Sequence, residues 1–139
     1  NKIPYEEVTV TNSSEVKQAA ETLAGKVDGI FIPNDSVIQS AMTTVTEVAR
    51  DKKIPVYGSS KAMVLSGAFA TVAISDTKIG KLTAQMGLKY LKDGTAVKDI
   101  PSVVVPAEET VINQNTLDAL GVTVPDDIKN SAIIVNDAE

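Results

Sequence analysis

The sequence of 139 residues contains no cysteine, no histidine and no tryptophan, and its only aromatic residues are two Phe and three Tyr. Without thiols or imidazoles, the chain has neither the ligands of a Cys/His zinc site nor the usual catalytic base. It also lacks the G-x-G-x-x-G, Walker and G-x-S-x-G motifs of nucleotide-binding proteins and hydrolases. These absences predict a protein that is not an enzyme and that needs no cofactor or metal.

Basic residues are in the minority, 13 against 18 acidic residues, which gives a formal net charge of −5. No basic stretch is interleaved with aromatic residues, so we expect no binding to nucleic acid. No apolar run approaches the length of a membrane span, and the N-terminus shows neither an initiator Met nor a signal-peptide core. Because the first residues resemble the middle of a protein, we expect a fragment or a mature chain without its leader.

Apolar residues make up 43% of the sequence and predict a single domain with an aliphatic core. Short apolar runs alternate with stretches of helical spacing, which predicts an α/β domain over residues 1–139. We expect a mainly parallel sheet with helices on both faces and four consecutive βα units. The predicted strands are residues 5–10, 29–32 (buried on both faces), 54–57, 69–74, 101–106 and 111–113.

The predicted helix over residues 77–92 is unusual because it is apolar around most of its circumference. One face carries Ile79, Leu82, Met86 and Tyr90, and the nearly opposite face carries Ala84, Leu88 and Leu91. Such a helix is normally covered on more than one side, either as the central helix of a small domain or against a partner. In the second case we expect the isolated chain to form a homodimer through it.

Four predicted strand-to-helix junctions carry Ser, Thr, Asn and Asp side chains, at residues 11–13, 34–36, 59–60 and 75–77. The carboxyl ends of parallel strands share one edge of a sheet, and ligands bind there in open α/β folds. The same residue types are also the preferred helix N-caps, so each junction by itself is more typical of a cap. The junctions at 34–36 and 75–77 nevertheless offer three polar residues where one would suffice.

This excess predicts a ligand site formed by Asn34, Asp35, Ser36, Ser59, Ser60 and Asp76. Hydroxyls and free helix N–H groups suit a carboxylate, and the side chain of Asp35 or Asp76 suits an ammonium group. A zwitterionic amino acid would satisfy both. The adjacent acids at 108–109 and 126–127 are more typical of solvated loops than of a catalytic pair or metal site.

Six segments, which span nearly the whole chain in order, resemble the substrate-binding proteins of bacterial ABC transporters with the type I periplasmic-binding fold. Within that family they are similar to the subgroup that includes binders of tryptophan and other aromatic amino acids. The segments are V-T-V-T-N-S-S-E-V (8–16), V-D-G-I-F-I-P-N-D-S (27–36), I-P-V-Y-G-S-S (54–60), G-A-F-A-T (67–71), I-G-K-L-T-A (79–84) and V-I-N-Q-N-T-L-D-A-L-G-V-T-V-P (111–125).

The resemblance implies a protein of two α/β lobes with a ligand cleft between them, of which this chain supplies the second lobe. It implies that helix 77–92 packs on the missing first lobe. It also implies a non-catalytic component of an importer, located in the periplasm or at the cell surface as a lipoprotein. Such a protein closes on a small polar solute and delivers it to a membrane permease.

The family motif transfers unevenly to the candidate site. Asp35 matches an Asp-Asn pair that is frequent in the family, but this chain has Ser36 in place of the Asn. Many relatives carry an acid near Ser59 and Ser60, and an aromatic pair is common where this chain has Asp76 and Thr77. The lost aromatic argues somewhat against a large aromatic solute. The alternative is the effector-sensing domain of a regulator, which shares this lobe architecture.

Overall fold

The computed structural model describes residues 2–138 as five short strands and seven helices arranged around one sheet. The strands are β1 (Ile30–Phe31), β2 (Val56–Tyr57), β3 (Ala70–Ala73), β4 (Glu109–Asn113) and β5 (Ile133–Val135). The helices are α1 (Val16–Ala24), α2 (Ser36–Ser40), α3 (Met42–Asp51), α4 (Lys61–Leu65), α5 (Asp76–Leu91), α6 (Gln114–Leu120) and α7 (Asp126–Ser131). None of the helices in this part of the chain is both long and apolar enough to cross a membrane.

The sheet is mixed but mostly parallel, with its strands in the order β1-β2-β3-β4-β5. Strands β1, β2 and β3 run parallel, with Ile30 beside Val56 and Tyr57 beside Ala70. Strand β4 then returns antiparallel to β3, and β5 lies parallel to β4. The predicted α/β class with a mainly parallel sheet is confirmed, and no antiparallel hairpin interrupts the first three strands.

Helices cover both faces of the sheet, as the sequence predicted. Neighbouring residues of a strand point to opposite faces, and in β4 Val111 and Ile112 belong to two different buried clusters. The Val111 cluster is the larger one, and it joins the sheet to α1, α3 and α4. The Ile112 cluster contains Phe69 together with Leu117 and Leu120 of α6. The core is aliphatic apart from Phe69 and two methionines.

Two predicted strands are wrong. Residues 5–10 and 101–106 form no strand, and their side chains are largely exposed, with Tyr5 at 82% and Val104 at 91%. Both segments have the residue types of strands, but a strand also needs a neighbour to accept its main-chain hydrogen bonds. Within residues 2–138, β1 is bonded to β2 alone and β5 to β4 alone, so neither segment extends the sheet.

One further prediction is corrected at β1, and the helical stretch after β1 is divided into two helices. The strand at 29–32 is buried on one face only, because Ile30 and Ile32 are buried while Phe31 is 69% exposed. The apolar pattern from Ile38 to Ala49 spans two helices, α2 and α3, which meet at Ala41. The backbone of Ala41 leaves the helical region there (φ −109°, ψ 17°), so the stretch bends.

Helix α5 buries none of its residues against the rest of the domain. Its apolar side chains are exposed on both predicted faces, including Ile79 at 41%, Leu88 at 55% and Leu91 at 80%. One ion pair attaches its first turn to the segment before β4, with Lys78 Nζ 2.6 Å from Glu108 Oε2. The helix therefore presents uncovered apolar surface on more than one side, and its packing partner stays a prediction.

The end of the described chain is fastened by a polar network that links α3, β4 and α6. Arg50 donates two hydrogen bonds to the carboxylate of Asp137, at 2.8 Å from Nη1 and 2.7 Å from Nη2. Asn113 Nδ2 donates to Asp137 Oδ1 at 2.8 Å, and Asp137 N donates to Asn115 Oδ1 at 3.0 Å. The Arg50 side chain is thus held in this network although it lies at the end of a surface helix.

Because of this network, the free energy of unfolding depends on pH in the acidic range. The hydrogen bonds from Arg50 and Asn113 hold the pKa of Asp137 below its ordinary value of 3.8, against the opposing effect of partial burial. A carboxyl group with a lowered pKa in the folded state stabilises the fold above its unfolded pKa, and this stabilisation is lost as the pH falls through the folded value. We expect Asp137→Asn to reduce the loss of stability between about pH 5 and pH 2, because this linkage is removed.

Urea unfolding at a series of pH values measures this effect. Asp93→Asn, which changes an exposed carboxylate outside the network, serves as the control and should leave the acid dependence nearly unchanged. An Asp137→Asn protein with the same acid dependence as the unmodified protein would contradict the assignment.

Candidate ligand-binding edge of the sheet

Three of the four predicted polar junctions meet at one edge of the sheet. Strands β1, β2 and β3 are parallel neighbours, so their carboxyl ends lie side by side. Residues 34–36, 59–60 and 75–77 follow these three ends and lead into α2, α4 and α5. The fourth junction, residues 11–13, does not follow a strand, because residues 5–10 form none.

Asp35 is the N-cap of α2, and it keeps part of its carboxylate free. Its Oδ1 accepts hydrogen bonds from Val37 N at 2.8 Å and Ile38 N at 3.0 Å. Its Oδ2 takes no hydrogen bond from any residue between 2 and 138, and the side chain is exposed. Asp35 can therefore cap the helix through one oxygen and offer the other to a cationic group.

The second junction is less exposed and carries two hydroxyl groups. Ser60 caps α4 by accepting a hydrogen bond from Met63 N at 3.4 Å, and Ser59 Oγ lies 3.7 Å from Met63 Sδ. Gly58 precedes them because a Cβ there would lie 2.7 Å from Met63 Cβ. The close packing of Met63 therefore holds both hydroxyl groups in place at the end of β2.

The remaining predicted residues are exposed at the same edge. Ser75 caps α5, with Lys78 N donating to its Oγ at 3.4 Å, so Asp76 is released from capping and lies in the first turn. Asn34 occupies the bend between β1 and α2, and Ser36 is the first residue of α2. The edge thus carries two carboxylates and several hydroxyl groups next to helix N-termini, a mixture that suits a zwitterion.

An apolar groove on the sheet face beside this edge was not predicted from the sequence. It encloses about 740 Å³, and Ser59 contributes to its lining. Its floor includes the exposed rings of Phe31 and Tyr57. Tyr57 makes an edge-to-face contact with Phe69, with the ring centroids 5.6 Å apart. Buried and exposed apolar residues alternate along β1 and β2, which could have indicated an apolar second face of the sheet. The groove was not predicted because β1 was expected to be buried on both faces.

The described residues include no cluster of side chains that could bind a metal ion. No group of three or more acidic, His or Cys side chains is close enough to hold one within residues 2–138. The acids at 108–109 do not pair with each other, since Glu108 binds Lys78 across the chain.

Comparisons with known proteins by sequence and by structure indicate the same family. The family model for the ABC transporter substrate binding protein matches residues 1–136. A tyrosine-binding protein from Clostridioides difficile (strain R20291) is 38% identical over 120 residues, which is 86% of this chain and 34% of that protein. An uncharacterised protein from Rickettsia prowazekii (strain Madrid E) is 27% identical over 101 residues, covering 73% of this chain and 33% of that protein.

Solved structures of similar proteins share the fold. A domain from Streptococcus pneumonia in complex with L-Trp superposes with a TM-score of 0.80 at 31% identity. A ligand-free, open substrate-binding protein with adhesive properties from Clostridium difficile superposes with a TM-score of 0.76 at 32% identity. Each alignment covers 93% of this chain and 43% of the solved chain.

These matches cover between 73% and 93% of the present sequence, whereas the chain spans about a third of its curated relatives and less than half of the solved structures. The predicted resemblance is confirmed by a family model that covers 136 consecutive residues. The chain belongs to the ABC transporter substrate-binding protein family.

Proposed function

We propose that the protein is the solute-binding component of an ABC importer and that its solute is a free amino acid. The observation that carries this proposal is the edge of the sheet where Asp35, Ser59, Ser60 and Asp76 follow three parallel strands. The free oxygen of Asp35 or the carboxylate of Asp76 would receive the ammonium group, and the hydroxyl groups of Ser59 and Ser60 would receive the carboxylate. The name of the C. difficile relative and the L-Trp complex of the S. pneumonia domain support an amino acid as the solute.

The solute would bind between this domain and a first lobe, because most of the candidate residues, Asn34, Asp35, Ser36 and Asp76, are exposed. Helix α5 supports a two-lobe arrangement, since its apolar residues are exposed on more than one side. A first lobe packed on α5 would cover that surface and complete the cleft. The loaded protein would then deliver its solute to a membrane permease from outside the cytoplasm, without catalysing a reaction.

Titration calorimetry of the whole gene product with L-tyrosine and L-tryptophan tests the proposal. We expect saturable binding of one ligand per protein. N-acetyl-L-tryptophan lacks the ammonium charge and L-tryptophan amide lacks the carboxylate, so both should bind at least about tenfold more weakly, which is the usual effect of losing one charge-assisted hydrogen bond.

A neutral sugar serves as the control and should give no heat of binding. The proposal is wrong if no L-amino acid binds, or if the two blocked derivatives bind as tightly as the free amino acid.

A further inference from the structure

The stretch of chain that carries Asp76 is closed at both ends by one residue, Glu108. The main-chain N–H of Glu108 donates to Ala73 O, at the end of β3, at 3.1 Å. The carboxylate of Glu108 accepts a hydrogen bond from Lys78 Nζ, in the first turn of α5, at 2.6 Å. Because Asp76 lies between the two bonded residues, Glu108 bridges the segment that contains it.

Glu108 is the fixed end of this bridge because it adjoins the sheet. The next residue, Glu109, is the first of β4 and is paired with Ala73 in the antiparallel ladder. The hydrogen bond to Glu108 raises the pKa of Lys78 above its ordinary value of 10.5, so Lys78 carries its charge at neutral pH. Both side chains are more than half exposed, and an ion pair of this kind contributes little to the free energy of unfolding. The property that it can influence is the position of the segment that it joins.

Little else fixes the start of α5 relative to the sheet, because the helix buries none of its residues. Among residues 2–138, the bond from Lys78 to Glu108 is the only hydrogen bond that joins an α5 side chain to a residue outside the helix. Ser75 caps α5, but the hydrogen bond that it accepts from Lys78 N stays within the first turn and does not connect that turn to the sheet. The direction in which Asp76 faces the candidate ligand edge therefore depends on the bridge through Glu108 and on the short chain after β3.

We propose that Glu108 and Lys78 are positioning residues that hold Asp76 at the candidate ligand edge, where its carboxylate contributes to binding the ammonium group of an amino acid. The inference rests on the proposed function and adds to it two residues that do not touch the solute. Without the bridge, the segment from 74 to 78 samples more conformations, and binding has to order it. The cost of that ordering weakens binding while the sheet stays intact.

Titration calorimetry of the whole gene product with the standard L-amino acids, using the one that binds most tightly, tests the proposal. Glu108→Gln keeps the size of the side chain and the main-chain bond to Ala73 but removes the ion pair, and we expect it to weaken binding about two- to fivefold. Lys78→Met should weaken binding to a similar extent. Lys81→Met, which removes another exposed charge of α5, is the matched control and should leave the affinity unchanged.

A double variant shows whether the bridge acts through Asp76. Asp76→Asn should itself weaken binding, because the carboxylate is lost. Glu108→Gln added to Asp76→Asn should then cause no further loss, since the group that Glu108 positions is already gone. A bridge that supports the domain in some other way would instead give losses that add.

Three outcomes would overturn this inference and leave the proposed function in place. They are full affinity in Glu108→Gln, full affinity in Asp76→Asn, and additive losses in the double variant. Failure of the unmodified protein to bind any L-amino acid would overturn the proposed function and this inference with it.

Discussion

Asn113→Ala is expected to lower the free energy of unfolding by about 2 to 4 kcal/mol, the sum of a lost helix cap and of buried groups left without partners. Asn113 is fully buried at the junction of β4 and α6. Its Oδ1 accepts from Thr116 N at 2.9 Å, and its Nδ2 donates to Val64 O at 2.7 Å as well as to Asp137. Removal of the amide therefore leaves Thr116 N without a partner and takes one hydrogen bond each from Val64 O and Asp137 Oδ1.

Urea unfolding of the two proteins at neutral pH measures the difference. Asn130→Ala is the matched control, because Asn130 is exposed on α7 and should change stability by less than about 0.5 kcal/mol. A loss of under 1 kcal/mol for Asn113→Ala would show that water replaces the amide.

Asp35→Ala is expected to weaken amino-acid binding by the whole gene product about ten- to hundredfold, which corresponds to about 1.5 to 3 kcal/mol for a charge-assisted hydrogen bond. The variant removes the cap of α2 together with the free Oδ2 that would meet the ammonium group. Titration calorimetry with the amino acid that binds most tightly measures the loss.

Asp35→Asn separates the two roles of this side chain. Asn caps a helix as well as Asp does, so the variant keeps α2 intact and loses only the negative charge. If Asp35 binds the ligand, Asn should weaken binding almost as much as Ala. Full affinity in Asp35→Asn would mean that Asp35 is a cap and nothing more.

Local patterns predicted most of the elements whose signals lie within a few residues. Helix α6 begins at its Asn113 cap and ends at Gly121, whose φ of 68° places it in the left-handed region that Gly adopts without strain. Near the start of the chain, Asn12 Oδ1 accepts from Ser14 N at 3.1 Å and Glu15 Oε2 accepts from Thr11 N at 2.8 Å, so side chains within five residues satisfy the first N–H groups of the helical stretch. The polar junctions after β1, β2 and β3 were found in the same way, because cap residues adjoin apolar runs.

The errors arise where structure depends on residues far apart in the sequence. Segments 5–10 and 101–106 have the composition of strands, but pairing is decided by a neighbouring edge that no local pattern reveals. The network of Arg50, Asn113 and Asp137 joins residues up to 87 positions apart, so nothing around Arg50 distinguishes it from a solvated helix end. Ligand contacts at the sheet edge stay a prediction, because cap residues at the ends of strands do not by themselves identify a ligand.

Because β3 and β4 are antiparallel neighbours, the polypeptide between them could be removed without disturbing the sheet. Ala73 is paired with Glu109, and Glu108 N donates to Ala73 O at 3.1 Å. The last residue of β3 and the first residue of β4 are therefore direct neighbours in the sheet. The intervening residues include α5, which buries nothing. A two-residue hairpin turn could therefore replace them in an engineered protein, and substitutions on the exposed faces of α5 should leave the folding of the sheet unchanged.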